Sequence, residues 1–215
     1  MSPKIEAFQK YADEYDQWFE VNPYAFQSEL LAIKNLLPHT KNVVEIGIGS
    51  GMFAVPLGIR EGIDPSDVML KKAKDRGLKV QKGIAEKLPY PNSSLSGIIM
   101  ITTICFVDDI YLTFEEAFRV LKPNGFILLG FVDKNSPIGQ EYLQFKEENV
   151  FYKDACFYST EEVYKIVHQS GFMVTETNQT VFGKIHEIKE IQPAIKGFGK
   201  GSFVVIKAKK INKKD

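Results

Sequence analysis

The sequence predicts an α/β domain built on one doubly wound sheet, mostly parallel with an antiparallel last strand, and with helices on both faces. Short β-branched and apolar runs alternate with helical patterns along the 215 residues, and strands separated by helices pair in parallel. No clear helix separates the last two predicted strands, so we expect that pair to be antiparallel. The chain has no internal repeat and no linker rich in Pro, Gly and Ser, so residues 1–215 are expected to form one domain.

Two helices are predicted at the start of the chain. Apolar side chains in residues 4–20 recur at spacings of three and four, which is typical of a helix with one apolar stripe. These side chains are Phe8, Tyr11, Ala12, Tyr15, Trp18 and Phe19. A second helical pattern covers residues 28–37 and stops at Pro38, since proline interrupts a helix.

Aromatic residues are concentrated in two segments, residues 1–40 and residues 131–158. We expect residues 1–40 to form a helical lid and residues 134–158 to form a cap over the substrate, because aromatic faces suit organic and cationic ligands. The open alternative is that these aromatic side chains cover the sheet as ordinary core.

The remaining elements alternate along the chain. Residues 42–46 form a short β-branched run of the kind found in buried parallel strands, and glycines follow it directly. The segment Lys122-Pro-Asn-Gly125 predicts a turn, and Gly171 predicts the C-cap of a helix. One further strand is predicted to end at residue 63, and others to cover residues 79–82, 97–101, 126–131, 172–182 and 202–209. One further helix is predicted to begin near Met52, and others to cover residues 66–76, 110–121 and 160–170.

Composition excludes several classes of function. The 27 Lys and Arg residues balance 27 Asp and Glu residues, so no overall field attracts nucleic acid or an anionic membrane, and we expect a small-molecule partner. Two cysteines, Cys105 and Cys156, provide neither a disulfide framework nor a metal site, so we expect packing thiols, no metal and a cytoplasmic protein. The sequence shows no signal peptide and no run of about 18 apolar residues, so no membrane association is expected.

The most informative motif is Glu45-Ile-Gly-Ile-Gly-Ser-Gly51, which stands where a predicted strand gives way to a helix. Glycines there let the backbone turn tightly and approach a ligand, and the helix N-terminus offers free N–H groups to an anion. An ordinary glycine-rich turn is the alternative. A dinucleotide fingerprint would need glycine at position 52, which is Met52, so the spacing argues against NAD, and the motif of phosphate-binding loops is also missing.

With this motif the sequence resembles the class I S-adenosylmethionine-dependent methyltransferases, in particular the ubiquinone/menaquinone-biosynthesis-like small-molecule type. The acidic residue followed by three alternating glycines matches the family's first motif, and Asp64 matches the acid that ends the second strand and binds the ribose. An N-cap or Asx-turn is the alternative role for Asp64. The resemblance runs from about Tyr11 to Lys209. It implies a Rossmann-like fold and the cofactor S-adenosyl-L-methionine.

Three further segments carry the resemblance. Asp64 to Leu70 resembles the family's D-P-S-x-x-M-L, Gly83 to Pro89 its adenine-side loop, and Arg119 to Gly125 its turn before the fifth strand. The chain departs from the pattern at Ile84, where the family has an adenine-binding Asp, so Glu86 or backbone groups are expected to replace it. Core packing is the equal alternative for Met69. The cofactor-binding residues implied by the resemblance are Glu45, Gly47, Gly49, Gly51, Asp64, Pro65, Met69, Ala85, Glu86, Thr102, Tyr11 and Tyr15.

The sequence offers no general base for methyl transfer. Many family members carry two histidines after the fourth strand, where this chain has Cys105 and Phe106. The three histidines lie in a loop, near a helix end and in the late connection, so surface or packing roles are expected for them, and the catalytic residues stay unknown. Side chains that could face the methyl group are Thr102, Thr103, Phe106, Asp108, Asp109, Phe131 and Asp133, with strand-end packing or helix capping as the alternative roles.

We therefore expect a methyltransferase that acts on a small-molecule acceptor by direct in-line displacement. A catalytically silent protein that binds S-adenosylmethionine or S-adenosylhomocysteine is the alternative, because the adenine-side Asp and the two histidines are missing. A nicotinamide-dependent oxidoreductase is disfavoured by the glycine spacing. The identity of the acceptor and the oligomeric state lie beyond what these residues indicate.

Overall fold

The computed structural model describes residues 5–211, so the first four residues of the predicted lid and the last four residues of the chain lie outside the described part. Eight strands form one mixed sheet in the order β3-β2-β1-β4-β5-β8-β6-β7. The strands are β1 Val43–Ile46, β2 Glu61–Asp64, β3 Lys79–Lys82, β4 Leu95–Ile101, β5 Leu121–Val132, β6 Phe172–Thr180, β7 Ile195–Lys196 and β8 Phe203–Lys210.

The pairing of the strands confirms the predicted sheet. Strands β1 to β5 pair in parallel with their neighbours, and β8 lies antiparallel between β5 and β6. Because the carboxyl ends of β1 to β5 point the same way, the loops that follow them meet at one edge of the sheet. This edge is where the sequence placed the glycine loop and Asp64.

Helices cover both faces of the sheet, as predicted. One apolar cluster joins the sheet to the helices at residues 110–120 and 160–169 through residues such as Phe114 and Val163, and a second joins it to the helices at residues 23–36 and 67–75 through residues such as Ile33 and Leu70. The helices are α1 Glu6–Lys10, α2 Ala12–Val21, α3 Pro23–Leu36, α4 Ala54–Leu57, α5 Asp67–Asp75, α6 Ile110–Val120, α7 Pro137–Gln144 and α8 Thr160–Gln169.

Several predicted helix bounds are wrong for local reasons. The single helix expected over residues 4–20 is broken at Tyr11, whose φ of −118° and ψ of 36° lie outside the helical region. Helix α3 begins earlier than predicted, at Pro23, since proline suits the first turn of a helix. The helix after the glycine loop has only four residues and ends at Gly58, whose φ is 72°.

Helix α7 and strand β7 were not predicted from the sequence. Helix α7 begins after Ser136, whose hydroxyl accepts a hydrogen bond from the Gly139 N–H, and it lies inside the predicted cap. The turn predicted at residues 122–125 is contained within β5 as an irregularity, where Asn124 has a φ of 61°. In the described part of the chain no helix is long and apolar enough to cross a membrane.

Candidate active site

A cavity of about 420 Å³ opens at the carboxyl-end edge of the sheet. Its floor is formed by the residues that end or follow the parallel strands, which is the usual place for ligands in open α/β sheets. Residues 5–29 and 142–152 contribute its other walls. The lining residues are Ile5, Phe8, Glu14, Tyr15, Trp18, Phe19, Glu29, Ile46, Gly47, Gly49, Phe53, Asp64, Pro65, Met69, Gly83, Ile84, Ala85, Glu86, Ile101, Thr102, Thr103, Phe106, Val107, Asp108, Val132, Tyr142, Asn149, Phe151 and Tyr152.

Asp64 connects the end of β2 to the glycine loop. Its Oδ2 accepts a hydrogen bond from the Gly49 N–H at 2.9 Å, and its Oδ1 accepts one from the Ser66 N–H at 2.8 Å. Burial raises the pKa of Asp64 to about 6, although these two hydrogen bonds act in the opposite direction. The second bond is the Asx-turn that the sequence left open, and Asp64 also lines the cavity.

The glycine loop keeps its shape because glycine fits where other residues would not. Gly47 has a φ of 70°, and a Cβ built on it would lie 2.5 Å from the Thr103 methyl carbon. Gly49 has a φ of 53° and faces the cavity, since a Cβ there would meet nothing closer than the Tyr15 hydroxyl at 3.7 Å. A ligand can therefore approach the backbone closely at Gly49.

Glu45 and Gly51, both expected in the site, lie outside the cavity lining. Glu45 is 2% exposed, and its Oε2 has no hydrogen-bond partner among the described residues. Burial, and after it the nearby Asp64 carboxylate, raise the pKa of Glu45 well above its usual value. A Cβ on Gly51 would collide with the Leu78 side chain. Neither residue therefore faces the cavity.

The wall beyond Asp64 contains the residues expected near adenine. Pro65, Met69, Ala85 and Glu86 all line the cavity, as does Ile84, which occupies the position of the family's Asp. The Glu86 Oε1 accepts a hydrogen bond from the Asp108 N–H at 2.7 Å. Part of the hydrogen-bonding capacity of Glu86 is therefore used to hold the loop after β4.

The end of β4 is strained at the cavity. Thr102 has a φ of 52°, which is unusual for a β-branched residue, and its N–H donates to the Gly130 carbonyl at 2.7 Å. The Thr103 hydroxyl donates to the Ile46 carbonyl at 3.0 Å. Strained backbone conformations of this kind persist only where surrounding contacts stabilise them, and they are common at functional sites.

Of the seven side chains expected to face the methyl group, Thr102, Thr103, Phe106 and Asp108 line the cavity. Asp109 is the N-cap of α6 instead, since its carboxylate accepts a hydrogen bond from the Leu112 N–H at 3.0 Å. Phe131 is buried in the core on the α6 side. Asp133 is buried and accepts hydrogen bonds from Asn135 and Thr160, so it holds the cap against the start of α8.

Four aromatic rings from separate segments meet over the cavity, and we call Phe8, Tyr15, Phe106 and Phe151 the aromatic roof. The Phe8 ring centroid lies 5.0 Å from that of Phe106 and 5.5 Å from that of Phe151. Tyr15 lies 5.8 Å from Phe8. Tyr11 does not line the cavity, and it only reaches the roof's edge at Phe151, with centroids 6.4 Å apart.

The chain matches proteins described as methyltransferases. The family model for "Methyltransferase domain" matches residues 44–129. A crystal structure of an S-adenosylmethionine-dependent methyltransferase from Thermotoga maritima, described as a possible histamine N-methyltransferase, is 46% identical, with a TM-score of 0.92 over 95% of this chain and 98% of that chain. The ubiquinone/menaquinone biosynthesis C-methyltransferase of Rickettsia akari is 31% identical over 87% of this chain and 77% of that protein.

The chain belongs to the class I S-adenosylmethionine-dependent methyltransferases. It is therefore an enzyme whose cofactor is S-adenosylmethionine, as the glycine loop and Asp64 implied. An uncharacterized protein of Methanocaldococcus jannaschii is also similar, being 38% identical over 96% of this chain and 100% of its own length.

The residues of this methyltransferase fit the cofactor in two respects. The open backbone at Gly49 leaves room for close approach, and the cavity's charge matches a ligand with a sulfonium and an ammonium group. Among the described lining residues there is no Lys, Arg or His, whereas five are acidic. The acidic lining residues are Glu14, Glu29, Asp64, Glu86 and Asp108.

The histidines and cysteines lie away from this chemistry. His39, His168 and His186 are all exposed and none lines the cavity. Cys105 is buried as expected, but Cys156 is exposed, so the packing role predicted for both thiols holds for Cys105 alone. Within the described residues no cluster of potential ligands suits a metal ion.

Glu29 is a lining residue that the sequence reasoning missed. It lies on the buried stripe of α3 together with Ala25, Ala32, Ile33 and Leu36, and only 6% of its surface is exposed. The available signal was a carboxylate at a position that helical spacing assigns to the apolar face. A charged residue is almost never buried without a partner, so this position indicates a function.

Proposed function

We propose that this methyltransferase transfers a methyl group from S-adenosylmethionine to a small-molecule acceptor within the cavity. The observation that carries the proposal is that Asp64, the glycine loop and Thr102 converge on one cavity of about 420 Å³. Cavities of this size with a mainly apolar lining are typical sites for small organic ligands. We therefore expect the acceptor to enter as a small molecule rather than as a nucleic acid or a folded protein.

We assign the ribose of the cofactor to Asp64. Each carboxylate oxygen has two lone pairs, and the Gly49 and Ser66 N–H groups use one on each oxygen. The remaining lone pairs can accept the two ribose hydroxyl hydrogens in charge-assisted hydrogen bonds. The wall formed by Pro65, Met69, Ala85 and Glu86 is then the adenine side, since it continues from Asp64 along the cavity.

We assign the amino-acid part of the cofactor to Gly47, Gly49, Thr102 and Tyr15. The two glycines follow β1 and Thr102 follows β4, whereas the adenine wall follows β2 and β3 on the other side of the sheet order, and Tyr15 of α2 faces Gly49. Glu45, Gly51 and Tyr11 do not line the cavity, so we assign them supporting roles. Glu45 and Gly51 fix the loop, while Tyr11 packs against Phe151.

The chain's contribution to the chemistry is alignment and the exclusion of water. When bound, S-adenosylmethionine supplies a methyl group on a sulfonium, and in-line transfer needs an aligned acceptor in a dry site. The aromatic roof covers the cavity with apolar surface drawn from α1, α2, the β4 loop and the cap. We propose that residues 5–40 and the cap act together as this cover.

An amine is one candidate class of acceptor, because the relative that is 46% identical is described as a possible histamine N-methyltransferase.

The test of the proposed function begins with calorimetric titration of the chain with S-adenosylhomocysteine and, as the comparison ligand, NAD. We expect binding of S-adenosylhomocysteine alone. Binding of NAD without a response to S-adenosylhomocysteine would contradict the proposal.

Turnover is measured next, as release of S-adenosylhomocysteine from S-adenosylmethionine in the presence of amines, thiols, phenols and quinone precursors. We expect release that depends on one of these small acceptors. Tight binding of S-adenosylhomocysteine with no turnover on any small acceptor, but with turnover on protein or RNA fractions, would instead assign a macromolecular acceptor.

A further inference from the structure

Glu29 is a buried carboxylate that borders the cavity and has no partner in the part of the chain that the structure describes. It is 94% shielded from solvent, with 6% of its surface exposed, and it makes no hydrogen bond or ion pair with any described residue. Burying an unpaired carboxylate costs free energy. A ligand in the cavity that donates hydrogen bonds or carries positive charge would remove that cost.

The surroundings of Glu29 favour an organic cation. The ionisable groups that face it are two neutral phenols, Tyr15 of α2 and Tyr142 of α7. Of the described elements β5, β6, β8, α2 and α4, which pack against α3, only α2 contributes a charged side chain, Glu14, to the cavity lining. The same cavity is lined by the aromatic rings of Trp18, Phe19 and Phe53, and aromatic faces attract cations.

We propose that the methyl acceptor is a small organic amine and that Glu29 binds its ammonium group. This inference rests on the proposed methyl transfer in the same cavity. A carboxylate next to aromatic rings recognises an ammonium group by charge and its apolar body by contact. A carboxylate or phosphate acceptor would instead bring like charge into a cavity lined by five acidic residues and, in its described part, no cation.

The same contact deals with the proton that amine methylation releases. The N–H bond of the ammonium breaks, the proton moves to the Glu29 carboxylate, and the electron pair stays on nitrogen. That pair forms the new N–CH₃ bond while the C–S bond of the sulfonium breaks and leaves its electrons on sulfur. Glu29 then releases the proton to water. A base with a pKa near the working pH suits this transfer, and burial raises the pKa of Glu29 to about 8.

S-adenosylmethionine itself carries an ammonium group, so the methyl donor is a second ligand whose ammonium group could bind Glu29. Glu29 faces Tyr142 of the cap as well as Tyr15, so it lies between the cap and the region assigned to the donor's amino-acid part. Binding measured separately for donor and acceptor distinguishes the two sources.

The experiment compares the wild-type chain with Glu29→Gln, which keeps the shape of the side chain and removes its charge. Calorimetry first measures S-adenosylhomocysteine, and then measures 2-phenylethylamine, tyramine, histamine and butylamine on the complex with S-adenosylhomocysteine. The neutral 2-phenylethanol and the anionic 3-phenylpropanoate are the matched comparison ligands. Glu20→Gln, an exposed position on α2, is the control for a change of charge outside the cavity.

We expect at least one amine to bind at least tenfold more tightly than its neutral or anionic analogue, and Glu29→Gln to weaken it at least tenfold. Affinity for S-adenosylhomocysteine should stay within threefold in both variants. Three results would overturn the inference: no amine binds a chain that binds S-adenosylhomocysteine, Glu29→Gln leaves amine affinity unchanged, or Glu29→Gln weakens S-adenosylhomocysteine by a similar factor. Failure of the wild-type chain to bind S-adenosylhomocysteine would instead contradict the proposed function.

A pH series on the wild-type complex tests the inference without relying on the variant. Amine affinity should rise at least tenfold between pH 6 and pH 8 as Glu29 ionises, because an alkylammonium stays charged to about pH 10. A flat wild-type profile would overturn the inference. If the variant folds, as its binding of S-adenosylhomocysteine would show, its own rise should be well below tenfold, because Glu29 no longer titrates and Asp64, whose pKa is about 6, is already half ionised at pH 6.

Discussion

At the scale of single residues, Asp64 performs two tasks with one carboxylate. It holds the Gly49 and Ser66 N–H groups inside the protein and turns towards the cavity with its remaining lone pairs. The glycine loop and the end of β2 are therefore fixed to each other before any ligand binds. Because the loop is already ordered, ligand binding loses less conformational entropy than it would with a flexible loop.

Replacing Asp64 with Ala should weaken S-adenosylhomocysteine binding at least tenfold, since a lost hydrogen bond to a charged group costs about 1.5–3 kcal/mol. Calorimetric titration measures the effect. Asp67→Ala is the matched control, because Asp67 lies one turn away, is exposed and, among the described residues, forms an ion pair only with Lys82. Equal affinities for the two variants would remove Asp64 from the cofactor site.

Gly47 allows a test in which backbone strain and collision are separated. Gly47→Ala combines a positive φ of 70° with a Cβ that would lie 2.5 Å from the Thr103 side chain, whereas Gly58→Ala has a similar φ of 72° and nothing within 4 Å. Each variant should lose about 1–2 kcal/mol of stability from the left-handed backbone. Only Gly47→Ala should also weaken S-adenosylhomocysteine, at least fivefold by calorimetry. Similar binding by both variants would mean that Thr103 simply moves away.

At the scale of elements, Asp16 fastens α2 to α5 and to the glycine loop. Its carboxylate accepts hydrogen bonds from Ser50, Lys72 and Arg76, and Arg76 also donates to the Ser50 carbonyl at 2.7 Å. Burial opposes ionisation of Asp16, but these hydrogen bonds prevail and hold its pKa below the usual value. Since Tyr15 is the preceding residue, the same contacts set the position of the aromatic roof.

Asp16→Asn should therefore lower both stability and cofactor affinity. We expect a loss of roughly 1–2 kcal/mol in the free energy of unfolding and at least threefold weaker binding of S-adenosylhomocysteine, measured by denaturant unfolding and calorimetry. Asp13→Asn is the control, because the Asp13 side chain is 92% exposed and its one ion pair within residues 5–211 is with Lys72, so the substitution should change little. A loss of stability with unchanged affinity would show that Asp16 holds α2 without affecting the site.

The elements also show what the sequence was able to predict. Strands β1 to β6 and β8 were recognisable because buried β-branched runs and turn residues are local signals, and so were the helices capped by Ser66, Asp109 and Ser159. The break at Tyr11 was not recognisable, because the apolar spacing of residues 4–20 continues across it. Helix α7 has only eight residues and lies inside the aromatic segment that was interpreted as a cap, and it packs on the core through Ile138 and Tyr142.

The site was predictable where a motif fixes the backbone and not where packing decides. Gly47, Gly49 and Asp64 follow from strand–loop geometry, and all three line the cavity. Glu45 belongs to the same motif, yet strand alternation turns its side chain away from the cavity into a buried position. Glu29 belongs to no motif, and its place at the cavity follows only from how α3 packs on the sheet.

At the scale of the whole molecule, the zero net charge of the chain conceals an uneven distribution. Acidic side chains collect at the cavity, while none of the described lysines, arginines or histidines lines it. Two buried carboxyls there, Glu29 and Asp64, have pKa values raised by burial, and so does Glu45, which is buried outside the cavity lining. The cavity is thus suited to hold protons or cations, and its buried carboxyls lose their protons as pH rises.

This distribution makes stability depend on pH in a defined direction. Burial raises the pKa of Glu29 in the folded protein to about 8, above the ordinary 4.5 of an unfolded chain. The folded state therefore binds this proton more tightly, and the free energy of unfolding falls as pH rises from about 4.5 to about 8.

The Gln side chain of Glu29→Gln cannot ionise, so the stability of this variant without ligand should improve relative to wild type across this pH range, and the difference should become constant above it. Each pKa unit corresponds to about 1.4 kcal/mol, so the gain should reach the order of a few kcal/mol. Thermal unfolding at pH 5, 6, 7 and 8 measures it, and a constant difference between the two proteins would mean that Glu29 is not buried in its charged form.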